Sequence, residues 1–229
     1  KKNLDQVFLT ASGGPLLNKT KKQLVNIEPK IALNHPNWKM GKKISIDSST
    51  MMNKIFEFIE AKKIFNLKKN KLSIIIQPSS FVHAIVFLKG NIIKLLAHKC
   101  NMMIPISNAL GIHNKINKDT FLENINELNN LKFQKPSIKQ FPLLKILNFV
   151  PENSSYFETI LITINDNLVY KYLDNDINYI SINRNLIRFI KSPFLRKYYK
   201  LKPKSIYDIK KMINLTNNFI ENKIKNYAK

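Results

Sequence analysis

The sequence is poor in cysteine and in long apolar runs. Cys100 is the only cysteine among 229 residues, so the chain cannot form an internal disulfide, which is typical of a reducing compartment. The longest apolar runs fall far short of the roughly 18 residues that a membrane-spanning helix needs. The amino end also lacks a secretory signal pattern. We therefore expect a soluble protein with no membrane partner.

Arginine is scarce as well. The formal charge is +23, but only three of the 38 basic residues are arginine. Nucleic-acid readers favour arginine because its planar fork makes two hydrogen bonds to a base or phosphate. Lysine is instead scattered along the chain with abundant Asn and Ile, as in the product of a very AT-rich genome. The charge therefore indicates compositional bias, and we expect no nucleic-acid partner. A functional basic surface at residues 184–211 is the alternative.

Hydrophobic residues make up 44% of the chain, which is enough for a sizeable core. Alternating β-branched stretches predict strands, and apolar residues spaced three and four apart predict helices. The predicted strands are 6–10, 43–46, 72–77, 81–88 and 91–97, the last two joined as a hairpin at Lys89 and Gly90. The predicted helices are 49–65, 104–110, 141–149, 157–173, 183–190 and 205–227.

The order of these elements predicts an α+β fold, in which a mixed-sheet catalytic domain with helices is followed by a small C-terminal helical bundle. We expect a catalytic α/β domain at residues 1–130, with a lid loop at 35–43. Residues 131–156 are predicted to be a linker and the first bundle helix. Residues 157–229 are predicted to form the C-terminal helical bundle.

The helix predicted at 49–65 is apolar around most of its circumference, which predicts burial. Its polar residues lie along one narrow stripe. They are Thr50, Asn53, Lys54, Glu57 and Glu60. Because ionised groups are costly to bury without a partner, a metal or a charged ligand, the stripe predicts a polar cavity. A buried ion pair between Lys54 and Glu57 is the alternative.

Positions along this helix indicate two kinds of ligand. Ser48 stands where the N-cap belongs, and backbone N–H groups and the helix dipole favour an anion there. Lys54 lies near the same end, where a cation is disfavoured unless an anion is bound. A phosphate satisfies both. Glu57, one turn after Asn53, can offer an oxygen ligand to Mg²⁺ or Mn²⁺.

Two loops could complete such a site. Ser12 and Gly13 lie where a strand runs into a turn, a place where backbone can approach a phosphate closely, and an ordinary turn is the alternative. The segment 35–43 carries Trp38 and Met40, large apolar side chains that suit a lid closing over a ligand. A loop packed on the core is the alternative there.

Five segments together resemble one family, the 1-deoxy-D-xylulose 5-phosphate reductoisomerases of the non-mevalonate isoprenoid pathway. The segments are LTASGGP (9–15), HPNWKMGKKISIDSSTMMNK (35–54), EFIEAKKIF (57–65), QPSSFVHAIV (77–86) and NMMIPISNALG (101–111). The resemblance implies NADPH-dependent isomerisation and reduction of 1-deoxy-D-xylulose 5-phosphate, a phosphorylated sugar, to 2-C-methyl-D-erythritol 4-phosphate. It also implies Mg²⁺ or Mn²⁺ as a cofactor and a homodimer in the intact protein.

The resemblance further implies roles for individual residues. The substrate phosphate would be held by Ser12, Ser48, Asn53 and Lys54, with His35 beside it and Trp38 in the lid. Glu57 would ligate the metal and contact the substrate. The catalytic residues would be Glu57, His35 and Lys54. The cofactor would be contacted by Gly13, Met40 and Met102.

The sequence also departs from the family pattern. An amino-terminal NADPH-binding domain and an Asp-Ser-Glu metal motif precede the SGGP strand in the family, and neither occurs in this sequence. Glu57 is then one of three expected metal carboxylates. Gln77 and Ser79 stand where His and Gln are usual, Met103 where Arg is usual, and Asn165-Asp166 where Asn-Glu is usual. We therefore expect a fragment of a longer product, or a decayed gene, that is inactive alone.

The alternative function is a non-enzymatic, Lys-rich RNA- or membrane-surface-binding protein on a decayed reductoisomerase fold. Phosphate-site residues in one concave pocket would favour the enzyme, and a continuous basic face remote from that pocket would favour the alternative. For the enzyme we expect the bacterial cytoplasm, with a plastid as the alternative.

Overall fold

The structure is a computed structural model that describes residues 3–112 and 118–225. The chain divides into two compact units whose segments alternate along the sequence. The first unit consists of residues 1–14, 35–40 and 56–136, and the second of residues 15–34, 41–55 and 137–229.

The described residues form four strands and ten α-helices. The strands are β1 (Leu4–Ala11), β2 (Leu72–Ile76), β3 (Val82–Leu88) and β4 (Ile92–Ala97). The helices are α1 (Lys21–Val25), α2 (Pro29–Ala32), α3 (Lys42–Ser49), α4 (Met52–Ile64), α5 (Met103–Ala109), α6 (Lys118–Asn129), α7 (Tyr156–Leu173), α8 (Tyr179–Ile190), α9 (Pro193–Arg196) and α10 (Ile206–Lys225). Short 3₁₀ helices lie at Lys69–Lys71 and Pro142–Phe149.

The first unit contains one mixed sheet with strand order β2-β1-β3-β4. Strand β1 pairs in parallel with β2 and antiparallel with β3. The predicted hairpin of β3 and β4 is confirmed, and its turn uses positive φ at Gly90 (80°) and Asn91 (60°). Phe81, Val82 and Ile85 form the buried centre of one face of this unit. Strand β4, at the sheet edge, leaves Ile92, Ile93, Leu95 and Leu96 about half exposed.

The second unit is helical. Helix α7 begins with a capping box in which Ser155 and Glu158 satisfy each other's backbone N–H groups. Its buried face includes Phe157, Ile164 and Leu168. Helices α8 and α10 pack against it. The predicted helical bundle is thereby confirmed, except that the 141–149 segment is 3₁₀ and that residues 226 and 227 of the last predicted helix lie outside the described residues.

The prediction of a strand at 43–46 is wrong, because these residues lie in helix α3. The alternation of Ile44 and Ile46 is too short to outweigh helical contacts, which include an ion pair between Lys43 and Asp47 one turn apart (2.8 Å). The next helix starts at Met52, so Ser48 lies in the last turn of α3. The prediction that Ser48 is an N-cap is therefore wrong. Burial of the 49–65 helix is confirmed at Met52 and Ile55, whereas Ile64 and Phe65 are exposed.

None of the helices in the described residues is both long enough and apolar enough to cross a membrane.

Candidate functional site

The turn after β1 is built on two glycines in the left-handed region, Gly13 (φ 88°) and Gly14 (φ 69°). Side chains other than glycine adopt this backbone only with strain. The turn brings the Gly14 N–H to the hydroxyl oxygen of Ser12, which accepts it at 3.0 Å. The same oxygen lies 3.1 Å from Nε2 of His35. Ser12 and His35, predicted from distant parts of the sequence, are thus in direct contact.

The hydrogen bonds of His35 define its tautomer. Its Nδ1 accepts the backbone N–H groups of Asn37 (3.2 Å) and Trp38 (3.1 Å). Nδ1 therefore carries no proton, and Nε2 must be the donor to Ser12. Burial lowers the pKa of His35 from its ordinary value of 6.5, which agrees with a neutral ring. Because the Ser12 oxygen already accepts two hydrogen bonds, its own O–H can only donate, and an anion is a suitable acceptor.

The predicted lid segment contacts the loop between β2 and β3. The Asn37 amide donates to the carbonyl of Pro78 (2.6 Å) and to the hydroxyl of Ser80 (3.1 Å). The Trp38 ring meets the His83 ring edge-on at 6.2 Å. Trp38 and Met40 are partly buried. These contacts are those of a loop packed on its neighbours, the alternative given above. The opening and closing of a lid stays a prediction.

His83 is held by a neighbouring ring. It stacks on His98 with ring centres 3.8 Å apart, and its Nε2 bonds to the backbone carbonyl of His98 (3.0 Å). His83 is thus a hydrogen-bonded histidine on strand β3, and Trp38 lies against its ring.

The α3–α4 junction carries three predicted phosphate ligands, Ser48, Asn53 and Lys54. Between the two helices Met51 adopts a left-handed backbone (φ 69°) while only 1% exposed. A non-glycine residue in this region costs about 1–2 kcal/mol, and such strain persists only where surrounding contacts impose it. The junction is therefore held in its shape by its surroundings.

Those surroundings include a buried polar network that the sequence did not predict. The Asp47 carboxylate, 2% exposed, accepts hydrogen bonds from Lys43 Nζ (2.8 Å) and from the Asn165 amide on α7 (2.8 Å). Lys43 also pairs with Asp166 at 3.0 Å. The Tyr179 hydroxyl donates to the backbone carbonyl of Ser49 (2.8 Å). Helices α7 and α8 thus fix the end of α3.

Burial and charge act in opposite directions within this network. Burial raises the pKa of the Asp47 carboxyl, although the hydrogen bonds from Lys43 and Asn165 partly offset the effect. Burial disfavours the charged form of Lys43, but its contacts with Asp47 and Asp166 are stronger, so the pKa of Lys43 is raised. Removing either donor would leave the buried carboxylate partly unsatisfied and would destabilise the fold.

The predicted metal ligand Glu57 and the predicted cofactor contact Met102 belong to two different helical regions. Glu57 lies on α4, partly buried. Across residues 3–112 and 118–225 no group of three or more His, Cys, Asp or Glu side chains could hold a metal ion. Met102 stands at the start of α5 and is 57% exposed.

The division into units separates the predicted residues. The first unit contains Ser12, Gly13, His35, Trp38, Met40, Glu57 and Met102, and the second contains Ser48, Asn53 and Lys54. Within the first, Ser12 contacts His35 directly. Convergence of Ser12 with Ser48, Asn53 and Lys54 on one anion stays a prediction.

Comparison with known proteins identifies the family of this chain. Residues 1–65 match the family model described as the 1-deoxy-D-xylulose 5-phosphate reductoisomerase C-terminal domain. Residues 98–219, more than half of the chain, match the model described as the DXP reductoisomerase C-terminal domain. The chain belongs to the 1-deoxy-D-xylulose 5-phosphate reductoisomerase family.

Curated reductoisomerases show the extent of the match. The chain is 45% identical over 212 residues to the reductoisomerase of Pelagibacter ubique, an alignment that covers 93% of this chain and 55% of that protein. It is 38% identical over 184 residues to that of Buchnera aphidicola, covering 80% and 46%. The chain thus spans about half the length of the curated relatives it matches.

Solved reductoisomerases share the fold. One, crystallised with NADPH, fosmidomycin and magnesium, superposes with a TM-score of 0.89 at 30% identity, over 99% of this chain and 57% of that one. The Zymomonas mobilis reductoisomerase in complex with NADPH gives 0.79 at 25% identity, over 94% and 54%. The predictions of the family and of the α+β fold are confirmed.

Proposed function

We propose that the intact protein to which this chain contributes converts 1-deoxy-D-xylulose 5-phosphate to 2-C-methyl-D-erythritol 4-phosphate by NADPH-dependent isomerisation and reduction. Family membership supports the activity, and solved members are complexes with NADPH and magnesium. The observation on this chain that carries the proposal is the contact between Ser12 and His35 at the glycine turn. It prepares a hydroxyl donor for an anion such as the substrate phosphate.

The phosphate would be held by neutral and charged donors together. Ser12 donates its hydroxyl proton, because both acceptor positions on its oxygen are taken by His35 and Gly14. Ser48, Asn53 and Lys54 complete the clamp from the α3–α4 junction. Lys54 supplies the positive charge, and a charge-assisted hydrogen bond of this kind is worth about 1.5–3 kcal/mol.

His35 acts as a neutral group in this proposal. Protonation at Nδ1 would break the two backbone hydrogen bonds that it accepts, so the ring presents a fixed N–H on its other side. His35 therefore orients Ser12 and lies beside the phosphate. Trp38 and Met40 would cover the bound substrate.

The metal and NADPH would also be bound by residues outside this chain. Magnesium or manganese would polarise the substrate oxygens and NADPH would supply the hydride. Glu57 would give one oxygen ligand to the metal, which does not make a metal site by itself. Gly13, Met40 and Met102 would contact the cofactor, but no Gly-rich strand-turn-helix for a dinucleotide occurs in the sequence.

The edge of the sheet suits a homodimer. Strand β4 presents unpaired backbone groups and the half-exposed side chains of Ile92, Ile93 and Leu96, a combination that natural proteins cover. We infer that β4 contributes to a contact between two copies of the intact protein.

We also propose that the intact protein works in a bacterial cytoplasm. Within this chain we propose residues 1–130 as the catalytic part, residues 131–156 as the linker and first bundle helix, and residues 157–229 as the C-terminal bundle.

The test is a chimera. The 229-residue chain alone should not oxidise NADPH when given the xylulose phosphate. Fusing the amino-terminal part of the Pelagibacter ubique reductoisomerase ahead of Lys1 should produce metal-dependent oxidation. The same chimera with Glu57→Gln should lose it.

Two results would contradict the proposal. One is NADPH oxidation by the 229-residue chain alone. The other is a folded chimera that binds NADPH but shows the same rate with and without the Glu57→Gln change.

A further inference from the structure

The second unit contains a groove of about 430 Å³ that lies among α1, α8 and the segment 138–145. One wall is a single face of α8, formed by Ile180, Arg184 and Ile187, which are spaced three and four residues apart. Leu24 of α1 and Ile138 also line the groove. Its volume lies in the range of small-molecule sites, and most of its lining surface is apolar.

Three cations surround these apolar walls: Lys139, Lys145 and Arg184. None of them forms an ion pair with a carboxylate in residues 3–112 or 118–225. Arg184 makes one long hydrogen bond, from its guanidinium to the Ser181 hydroxyl (3.4 Å). Three positive charges at one groove repel each other unless an anion lies between them.

The choice of arginine at this position is informative. Only three of the 38 basic residues are arginine, and Arg184 is one of them. Compositional drift toward lysine explains scattered lysines but not an arginine in a groove. Arginine presents a planar fork that binds a carboxylate or phosphate with two parallel hydrogen bonds. The Asn183 amide lines the same wall, and its oxygen accepts no hydrogen bond from the part of the chain that the structure describes, so it can turn its NH₂ toward a bound anion.

We propose that this groove binds an amphipathic organic anion, a short hydrocarbon chain that ends in a carboxylate or a phosphate. The chain would lie along Ile138, Ile180 and Ile187, and the head group would meet Arg184 with Lys139 and Lys145 on either side. The proposal does not depend on the reductoisomerase activity, because none of these residues belongs to the phosphate clamp.

The test uses isothermal titration calorimetry on the 229-residue chain with octanoate, octyl phosphate, butyrate and octanol. We expect saturable one-to-one binding of at least one eight-carbon anion, at least about tenfold tighter than octanol because the charge contact is lost. Butyrate should bind at least about tenfold more weakly than octanoate, because four buried methylenes are missing. The tighter of octanoate and octyl phosphate identifies the head group.

Matched variants locate the site. Arg184→Gln should weaken binding of the anion about tenfold or more, and Arg188→Gln, one turn further along α8 and outside the groove, should leave it unchanged. Octanol bound as tightly as both anions, equal effects of the two substitutions, or no saturable binding in the millimolar range would each overturn the proposal. The comparison of octanoate with octanol needs no variant, so it stays decisive if a substitution disturbs folding.

Discussion

The buried carboxylate of Asp47 allows a quantitative prediction. Asn165→Leu keeps the number and branching of the side-chain heavy atoms, but Asp47 loses the 2.8 Å hydrogen bond from the amide while remaining 2% exposed. A hydrogen bond to a buried charge contributes about 1.5–3 kcal/mol. We therefore expect the free energy of unfolding to fall by about 2–3 kcal/mol. For a chain of this size the melting temperature should fall by about 4–12 °C.

The control lies two residues along the same helix. Asn167 donates to the Thr163 carbonyl (3.0 Å) and to the amide oxygen of Asn217 (2.9 Å), both of which are neutral. Because Asn167 is only partly buried, water can replace both neutral hydrogen bonds, and Asn167→Leu should cost only about 1 kcal/mol. Chemical denaturation followed by circular dichroism measures both losses.

A double variant separates the charge from the packing. When Asp47→Leu is added to Asn165→Leu, no buried carboxylate is left without its donor, and the pair should cost less than the sum of the two single changes. Equal losses for Asn165→Leu and Asn167→Leu, or strict additivity in the double variant, would refute the argument that Asp47 depends on Asn165.

Three further predictions concern the candidate site. In the intact enzyme, Lys54→Ala should raise the Michaelis constant for the xylulose phosphate about ten- to a hundredfold, and an unchanged constant in steady-state kinetics would remove Lys54 from the phosphate clamp. Trp38 is the only tryptophan, so its fluorescence should shift when fosmidomycin, the ligand of a solved relative, closes the lid over the intact enzyme; an unchanged spectrum on saturation would indicate a static loop. His35 should titrate by NMR with a midpoint below 6.5, and because the unfolded chain then binds the proton first, stability should rise with pH between that midpoint and 6.5; a midpoint above 6.5 would contradict the neutral tautomer.

The four strands and the β3–β4 hairpin follow from the sequence, because alternating β-branched stretches and the Lys89-Gly90 turn identify them directly, whereas the pairing of β1 with β2 and β3 does not. Only the family resemblance places Ser12 and His35 near the same phosphate, since the two residues stand 23 positions apart and no spacing rule joins them. The strand prediction for 43–46 is wrong because four residues are too few to distinguish strand from helix periodicity. The Lys43–Asp47 ion pair that stabilises the helix ends one residue beyond this segment.

The network around Asp47 was missed for a different reason. Asp47 and Asn165 are separated by 118 residues, and neither residue reveals its partner. The one available signal is the Asn165-Asp166 pair, which stands where Asn-Glu is usual in the family. Similarly, the left-handed backbone at Met51 is imposed by surrounding contacts, so local sequence preference could not indicate it.

The alternation of the two units along the chain limits where the gene can recombine, and where the polypeptide can be cleaved, without dividing a unit. The backbone passes between the units five times in six alternating segments. Every single cut therefore divides at least one unit, and a cut between residues 15 and 136 divides both. A recombination event in that stretch would build both units from two parents, and its product would need compatible residues on many separate segments. We expect viable natural hybrids and engineered libraries to exchange the whole stretch, and protease nicking between residues 15 and 136 to leave both units incomplete in each product.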